Sequence, residues 1–100
     1  MAHYQCSKAA LDMLTKSAAF ELAQYGIRVN SISPGLTATN SNRMQWMHDK
    51  KLWNFRKQDI PLKRAGVAED YIGALILLAS KESSWMTGSD ILIDGGHNLG

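Results

Sequence analysis

The residues from Ser7 to Ser33 narrow the possible folds most, because they describe a helix that stops at a glycine and passes at once into a strand. Leu11, Leu14, Ala18 and Leu22 recur at three- and four-residue steps, which places one apolar stripe on a helix over residues 7–25. Ala9, Met13 and Phe20 point to nearly the opposite side. Between the two strips lies a narrow polar seam near Asp12 and Lys16, whose charges four residues apart suit a solvated edge. A helix of this kind needs cover on two sides. Gly26 follows as a left-handed cap, and the β-branched run from Ile27 to Ser33 is expected as a strand stopped by Pro34-Gly35.

A second helix is expected over Val67 to Ser80, with Ile72, Leu75, Ile76 and Ala79 toward the core and Glu69 and Asp70 at the positive end of its dipole. A polar turn from Ser83 to Ser89 leads into Ile91-Leu92-Ile93, a continuous apolar run short enough for a buried parallel strand. Strand, helix, strand implies a right-handed crossover, and hence an α/β class with two parallel strands and flanking helices.

One hundred residues make one domain at most and permit only a modest core. A formal net charge of +2 with 20% charged residues gives no reason to expect nucleic acid as a partner. Cys6 is the single cysteine, so no internal disulfide is possible; a small packing residue in a soluble, cytoplasmic protein is the expectation. No apolar run approaches the ~18 residues of a spanning helix, so no membrane partner is expected. His3, His48, His97 and Cys6 are too scattered for metal-ligand spacing, and no metal site is expected.

Residues 40–64 depart from the rest in composition. Met44, Trp46, Met47, Trp53 and Phe55 stand among seven basic residues against the two acids Asp49 and Asp59, without a strand period, so short helices and loop are expected. A solvated basic face around apolar anchors and a ligand-covering segment are both compatible with this pattern.

Chemistry is concentrated near the start. Tyr4 and Lys8 are four residues apart, about one helical turn, so both side chains lie on one face. A phenol titrating near ~10 transfers protons poorly at neutral pH, but a nearby ammonium stabilises its phenolate and lowers that value. The surrounding text, Tyr4-Gln5-Cys6-Ser7-Lys8-Ala9-Ala10-Leu11, then Tyr25-Gly26-Ile27-Arg28-Val29-Asn30-Ser31-Ile32-Ser33-Pro34-Gly35, and finally Asp94-Gly95-Gly96, resembles the short-chain dehydrogenase/reductase family over essentially the whole chain. Cys6 stands where that family more often has a small residue such as Ala.

The resemblance implies the C-terminal portion of a Rossmann-type doubly wound parallel sheet, with residues 1–100 as one domain part and 40–64 as its substrate lid. It implies NAD or NADP as cofactor and hydride transfer at the carbonyl or alcohol carbon of a small alcohol, sugar or ketone. Tyr4 and Lys8 become the catalytic pair, with Tyr4, Lys8, Pro34, Gly35, Thr37 and Thr39 binding the cofactor. Lys8 lowers the Tyr4 pKa and meets the nicotinamide-ribose hydroxyls, while Thr37 meets the carboxamide through its backbone and Thr39 through its side chain. Thr37 replaces the usual Ile or Val, which a backbone contact tolerates. His3 and His97 are expected as bystanders. Relatives use the first helix in oligomer contacts, so a homo-oligomer is expected. The family's Gly-rich pyrophosphate turn, its Asn-Asn-Ala-Gly segment and its catalytic Ser have no counterpart in these 100 residues. The chain is therefore expected to be the carboxy-terminal part of an oxidoreductase, inactive and marginally stable by itself. The alternative is a non-catalytic remnant that acts only by association with intact subunits.

Overall fold

A computed structural model describes residues 2–97, the side chain of Tyr4 excepted. Helix α1 spans Ala2–Leu22 and ends in a 3-10 turn at Ala23–Tyr25; β1 is Ser31–Pro34, α2 Arg43–His48, α3 Lys50–Lys57, α4 Glu69–Ala79 and β2 Asp90–Ile93, with a second 3-10 turn at Lys81–Ser83. The two strands pair in one sheet. Ser31 N donates to Ser89 O and Gly35 N to Ile93 O, so the partner advances in step with the strand and the pair is parallel. By its internal contacts the chain forms two units, Met1–Ile32 with Ala74–Ile91, and Ser33–Gly73 with Leu92–Gly100.

In the first unit α1 begins at Ala2, five residues ahead of the expected Ser7, because Ala, Gln and Cys at its start contain no helix breaker. It stops as expected. Gly26 takes φ 72°, its N–H donates to Ala23 O at 2.9 Å, and Ile27 N donates to Leu22 O at 3.2 Å, a Schellman closure that needs the left-handed glycine.

The buried face of α1 is not the expected one. Thr15 and Ala19 are buried and Lys8, Asp12, Ala18 and Leu22 half-buried, so the buried stripe is shifted onto the polar seam and keeps only Ala18 and Leu22 of the expected apolar strip. Leu11, Leu14, Met13 and Phe20 on either side are exposed, Phe20 at 87%. The cause is chemical: Lys8 Nζ lies 3.1 Å from Asp12 Oδ1 and 3.6 Å from Asp90 Oδ2, and a Cβ on Gly88 would sit 3.5 Å from that of Ala19. Asp12 pairs backward with Lys8 instead of forward with Lys16, since Lys8 can bridge both carboxylates.

The expected strand from Ile27 to Ser33 shortens to Ser31–Pro34. Residues 28–30 are instead fixed by polar groups. The Arg28 guanidinium donates to Ser83 Oγ at 2.8 Å, Leu78 O at 3.2 Å, and Ser80 O and Met86 O at 3.3 Å. Asn30 Nδ2 donates to Met86 O, its Oδ1 accepts from Ser89 N, and Gly88 N donates to Val29 O at 2.7 Å. The run Ile91-Leu92-Ile93 does form a strand, but Leu92 is 48% exposed, so one of its faces lacks the cover expected of a buried parallel strand.

In the second unit the expected short helices appear as α2 and α3, separated at Asp49, whose Oδ1 accepts from Leu52 N at 3.1 Å and so caps α3. Trp53 and Ile60 are buried, and the Arg56 guanidinium stacks 5.5 Å from the Trp53 ring centroid. The chain then turns at Lys63, a non-glycine residue at φ 60°, held by Lys63 N to Ile60 O at 2.8 Å and Lys63 Nζ to Gln58 O at 2.8 Å. Helix α4 starts at Glu69, two residues after the expected Val67, because Asp70 Oδ2 accepts from Val67 N at 2.8 Å and leaves Val67 as part of the cap.

Asp70 is also held by Arg64 through a two-pronged contact, NH1 to Oδ2 at 2.8 Å and NH2 to Oδ1 at 2.9 Å. The Arg64 hydrogen bond, then that of Val67, lowers the Asp70 pKa to about 2. A carboxylate whose folded pKa is depressed adds stability above its unfolded pKa near 3.8 and loses it as pH falls toward 2. Asp70→Asn is thus expected to lower the denaturant midpoint at pH 7, with the gap from wild type closing between pH 4 and pH 2; a gap independent of pH would refute the ion-pair account.

Candidate active site

Lys8 stands on α1 four residues, about one helical turn, after Tyr4. The Tyr4 side chain lies outside the described atoms. The hydrogen bond to Asp12 raises the Lys8 pKa, and the charges of Asp90 and Asp12 add to this against a partial loss of hydration. Lys8 therefore carries its charge throughout the neutral range.

The other expected residues, Pro34, Gly35, Thr37 and Thr39, all belong to the second unit. Pro34 is the last residue of β1, where its missing N–H costs no ladder bond. Gly35 follows with its N–H on Ile93 O at 3.0 Å, and a Cβ there would meet Asp94 Cβ at 2.7 Å and Asp94 Cα at 2.8 Å. Only a glycine lets the end of β1 run this close to the Asp94 backbone.

Beyond it, Gly66 N donates to Leu36 O at 2.8 Å and Ala38 N to Gly66 O at 2.9 Å, a parallel bridge that turns both main-chain groups of Thr37 away from Gly66. The Thr37 carbonyl accepts from Asn42 Nδ2 at 2.7 Å. Among the described residues its N–H has no hydrogen-bond partner. The Thr37 side chain turns inward, donating to Gly35 O at 2.9 Å, which leaves it to accept from Tyr71 Oη at 2.6 Å. Thr39 is exposed; its N–H meets Asn42 Oδ1 at 2.7 Å, its hydroxyl reaches the same oxygen at 3.1 Å, and Trp46 Nε1 donates to its carbonyl at 2.9 Å.

A cavity of about 220 Å³ in this unit is lined by Leu36, Leu62, Arg64, Tyr71 and Ile93 among others. Arg64 is the one cation of its lining and is paired with Asp70. Among the described residues no three His, Cys, Asp or Glu side chains converge as for a metal, and no helix is long and apolar enough to cross a membrane. His3 and His97 are exposed. The sequence reading overlooked Asn42 and Tyr71. Asn42 stands in a Thr39-Asn40-Ser41-Asn42 run that favours side chain to backbone bonds, whereas nothing local to Tyr71 points to Thr37, 34 residues away.

Residues 1–98 match the family model described as enoyl-(acyl carrier protein) reductase. Human dehydrogenase/reductase SDR family member 4 is 42% identical over 93 residues, which are 93% of this chain and 33% of that protein. The chain belongs to the short-chain dehydrogenase/reductase family. The sorbose reductase of Candida albicans is 43% identical over 96% of this chain and 33% of its own length, so the chain spans about a third of the curated relatives it matches. A crystal structure of a short-chain type dehydrogenase/reductase from Mycobacterium marinum superposes with a TM-score of 0.81 at 47% identity, covering 99% of this chain and 37% of that one. The parallel pair with its flanking helices is thus part of a Rossmann-type sheet.

Gly35→Ala tests the close approach at the strand end. Overlap with a backbone atom cannot be relieved by a rotamer change, so a loss of about 1–3 kcal/mol is expected in denaturant unfolding. An unchanged midpoint would mean that β1 and Asp94 are farther apart than described.

Proposed function

We propose that this chain carries the catalytic helix and the nicotinamide end of an NAD- or NADP-dependent oxidoreductase that interconverts a carbonyl and an alcohol on a small substrate. The observation that carries the reading is the family match over residues 1–98 together with Tyr4 and Lys8 one turn apart on α1. Bound nicotinamide dinucleotide supplies or accepts the hydride at carbon. The proton at oxygen is the task of Tyr4 Oη. Lys8, kept charged by Asp12 and Asp90, biases Tyr4 toward its phenolate and meets the ribose hydroxyls. A donor at Thr37 N–H and a hydroxyl at Thr39, just beyond the strand end at Pro34 and Gly35, suit the carboxamide of the ring.

The sorbose reductase among the relatives supports a sugar, or another small alcohol or ketone, as substrate. The exposed apolar strips of α1 support a homo-oligomer in which a second copy gives cover. An exposed Cys6 thiol suits a reducing compartment such as the cytoplasm.

Tyr4→Phe in the intact protein keeps the ring and removes the proton-transfer group, so turnover is expected to fall by at least ~10²-fold. Steady-state kinetics that match wild type would remove Tyr4 from the mechanism.

Residues 40–64 are the proposed lid. Trp53 and Ile60 anchor its second half, while Met44 and Met47 on α2 remain exposed and able to exclude water over a substrate. Hydrogen exchange in α2 is expected to be fast in the free protein and slowed by cofactor and substrate, with α3 protected in both states. Equal protection of α2 with and without ligands would make the segment fixed structure.

A further inference from the structure

We propose that Asn42 is a positioning residue that dictates which way the Thr39 hydroxyl hydrogen-bonds, so that Thr39 offers a lone pair and selects the amide hydrogens of a carboxamide. The inference rests on the nicotinamide reading above and adds a residue and a polarity to it.

The orientation of the Asn42 amide is settled by two backbone partners of opposite kind. The Thr37 carbonyl can only accept, so the atom 2.7 Å from it is Nδ2. The Thr39 N–H can only donate, so the atom 2.7 Å from it is Oδ1. A flipped amide would set oxygen against oxygen and N–H against N–H.

The Thr39 hydroxyl, 3.1 Å from Oδ1, must then direct its single hydrogen there. Ser41 Oγ, 3.1 Å from Thr39 Oγ1, is left to donate to it. What Thr39 presents outward is an acceptor. Thr37, two residues earlier, presents an N–H without a partner among the described residues. One donor and one acceptor two residues apart complement the C=O and NH₂ of a primary carboxamide.

Asn42 precedes α2, where an Asn commonly caps the helix with its side chain. Here it makes no such bond; only its carbonyl serves α2, accepting from Gln45 N at 3.0 Å. The amide is turned wholly onto the segment from Thr37 to Thr39.

The test is calorimetric binding of the intact protein to NAD or NADP and to the 3-acetylpyridine analogue, in which a methyl replaces the carboxamide NH₂. Wild type is expected to favour the natural dinucleotide by about 2- to 10-fold, the worth of one hydrogen bond. Asn42→Ala frees the Thr39 hydroxyl to rotate, and the preference is expected to shrink toward none. Asn42→Asp keeps an acceptor for that hydroxyl while losing the bond to the Thr37 carbonyl, and is expected to retain the preference. Asn42→Ser, which also preserves an N-cap residue, replaces the alanine variant should that one fail to fold. An unchanged preference in Asn42→Ala or Asn42→Ser, or an equal loss in Asn42→Asp, overturns the assignment to Asn42. Failure of wild type to bind either dinucleotide overturns the nicotinamide reading itself.

Discussion

The Arg28 guanidinium is the interaction on which the first unit depends. A helix leaves its last carbonyls without partners, and Arg28 donates to two acceptors at the end of α4, Leu78 O and Ser80 O, while placing a positive charge at the negative end of the helix dipole. Its other nitrogen holds Ser83 Oγ and Met86 O, so one side chain ties the end of α4 to the following turn and to the approach to β1. A lysine could not replace it, because three donors on one nitrogen cannot span acceptors spread from residue 78 to residue 86. Ser83, buried at 1% exposure, completes the arrangement by donating back to the carbonyls of the same helix end.

This polar knot also explains where the sequence was legible and where it misled. Gly26, the helix-to-strand order and the stop at Pro34-Gly35 follow from local backbone chemistry, and all three occupy their expected places. The strand itself is shorter than its β-branched composition suggests. Val29 and Asn30 find their partners in the turn from Met86 to Ser89, nearly 60 residues away, through side chains as well as backbone. Propensity sees the β-branched residues but not the amide and guanidinium that take over the pairing.

Helix α1 shows a different limit. Periodicity shows two apolar strips and a polar seam, and hydropathy alone puts the strips inside. The seam carries Lys8, Asp12, Thr15 and Ala19; the Lys8 ammonium lies between Asp12 on its own helix and Asp90 across the contact, while the small Ala19 allows Gly88 close approach. Thr15 satisfies its own hydroxyl on Leu11 O at 3.0 Å, so its burial leaves no polar group stranded. Charge pairing and small size therefore outrank hydropathy on this face, and the apolar strips are left for other surfaces to cover. Among the described residues the buried apolar set is Ala19, Trp53 and Ile60.

The candidate site was legible in its backbone and not in its support. Gly35 and the Thr37–Thr39 spacing are visible as a turn signal, yet the groups that orient them lie later in the chain, in Asn42, Trp46 and Tyr71. Two of the three bracket the start of α2, so the helix that begins the proposed lid is fastened to the segment proposed to meet the nicotinamide. Trp46 holds the Thr39 carbonyl and Asn42 holds its N–H and hydroxyl, which leaves Thr39 little freedom to turn unless α2 turns with it. The second half of the segment has no such link to Thr39; it is anchored instead by Trp53, by Ile60, and by Leu62 N on Gly95 O at 3.1 Å. A displacement of α2 would therefore reach the hydroxyl of Thr39 before it disturbed α3, and the composition of residues 40–64, uniform in charge and aromatic content, conceals that division.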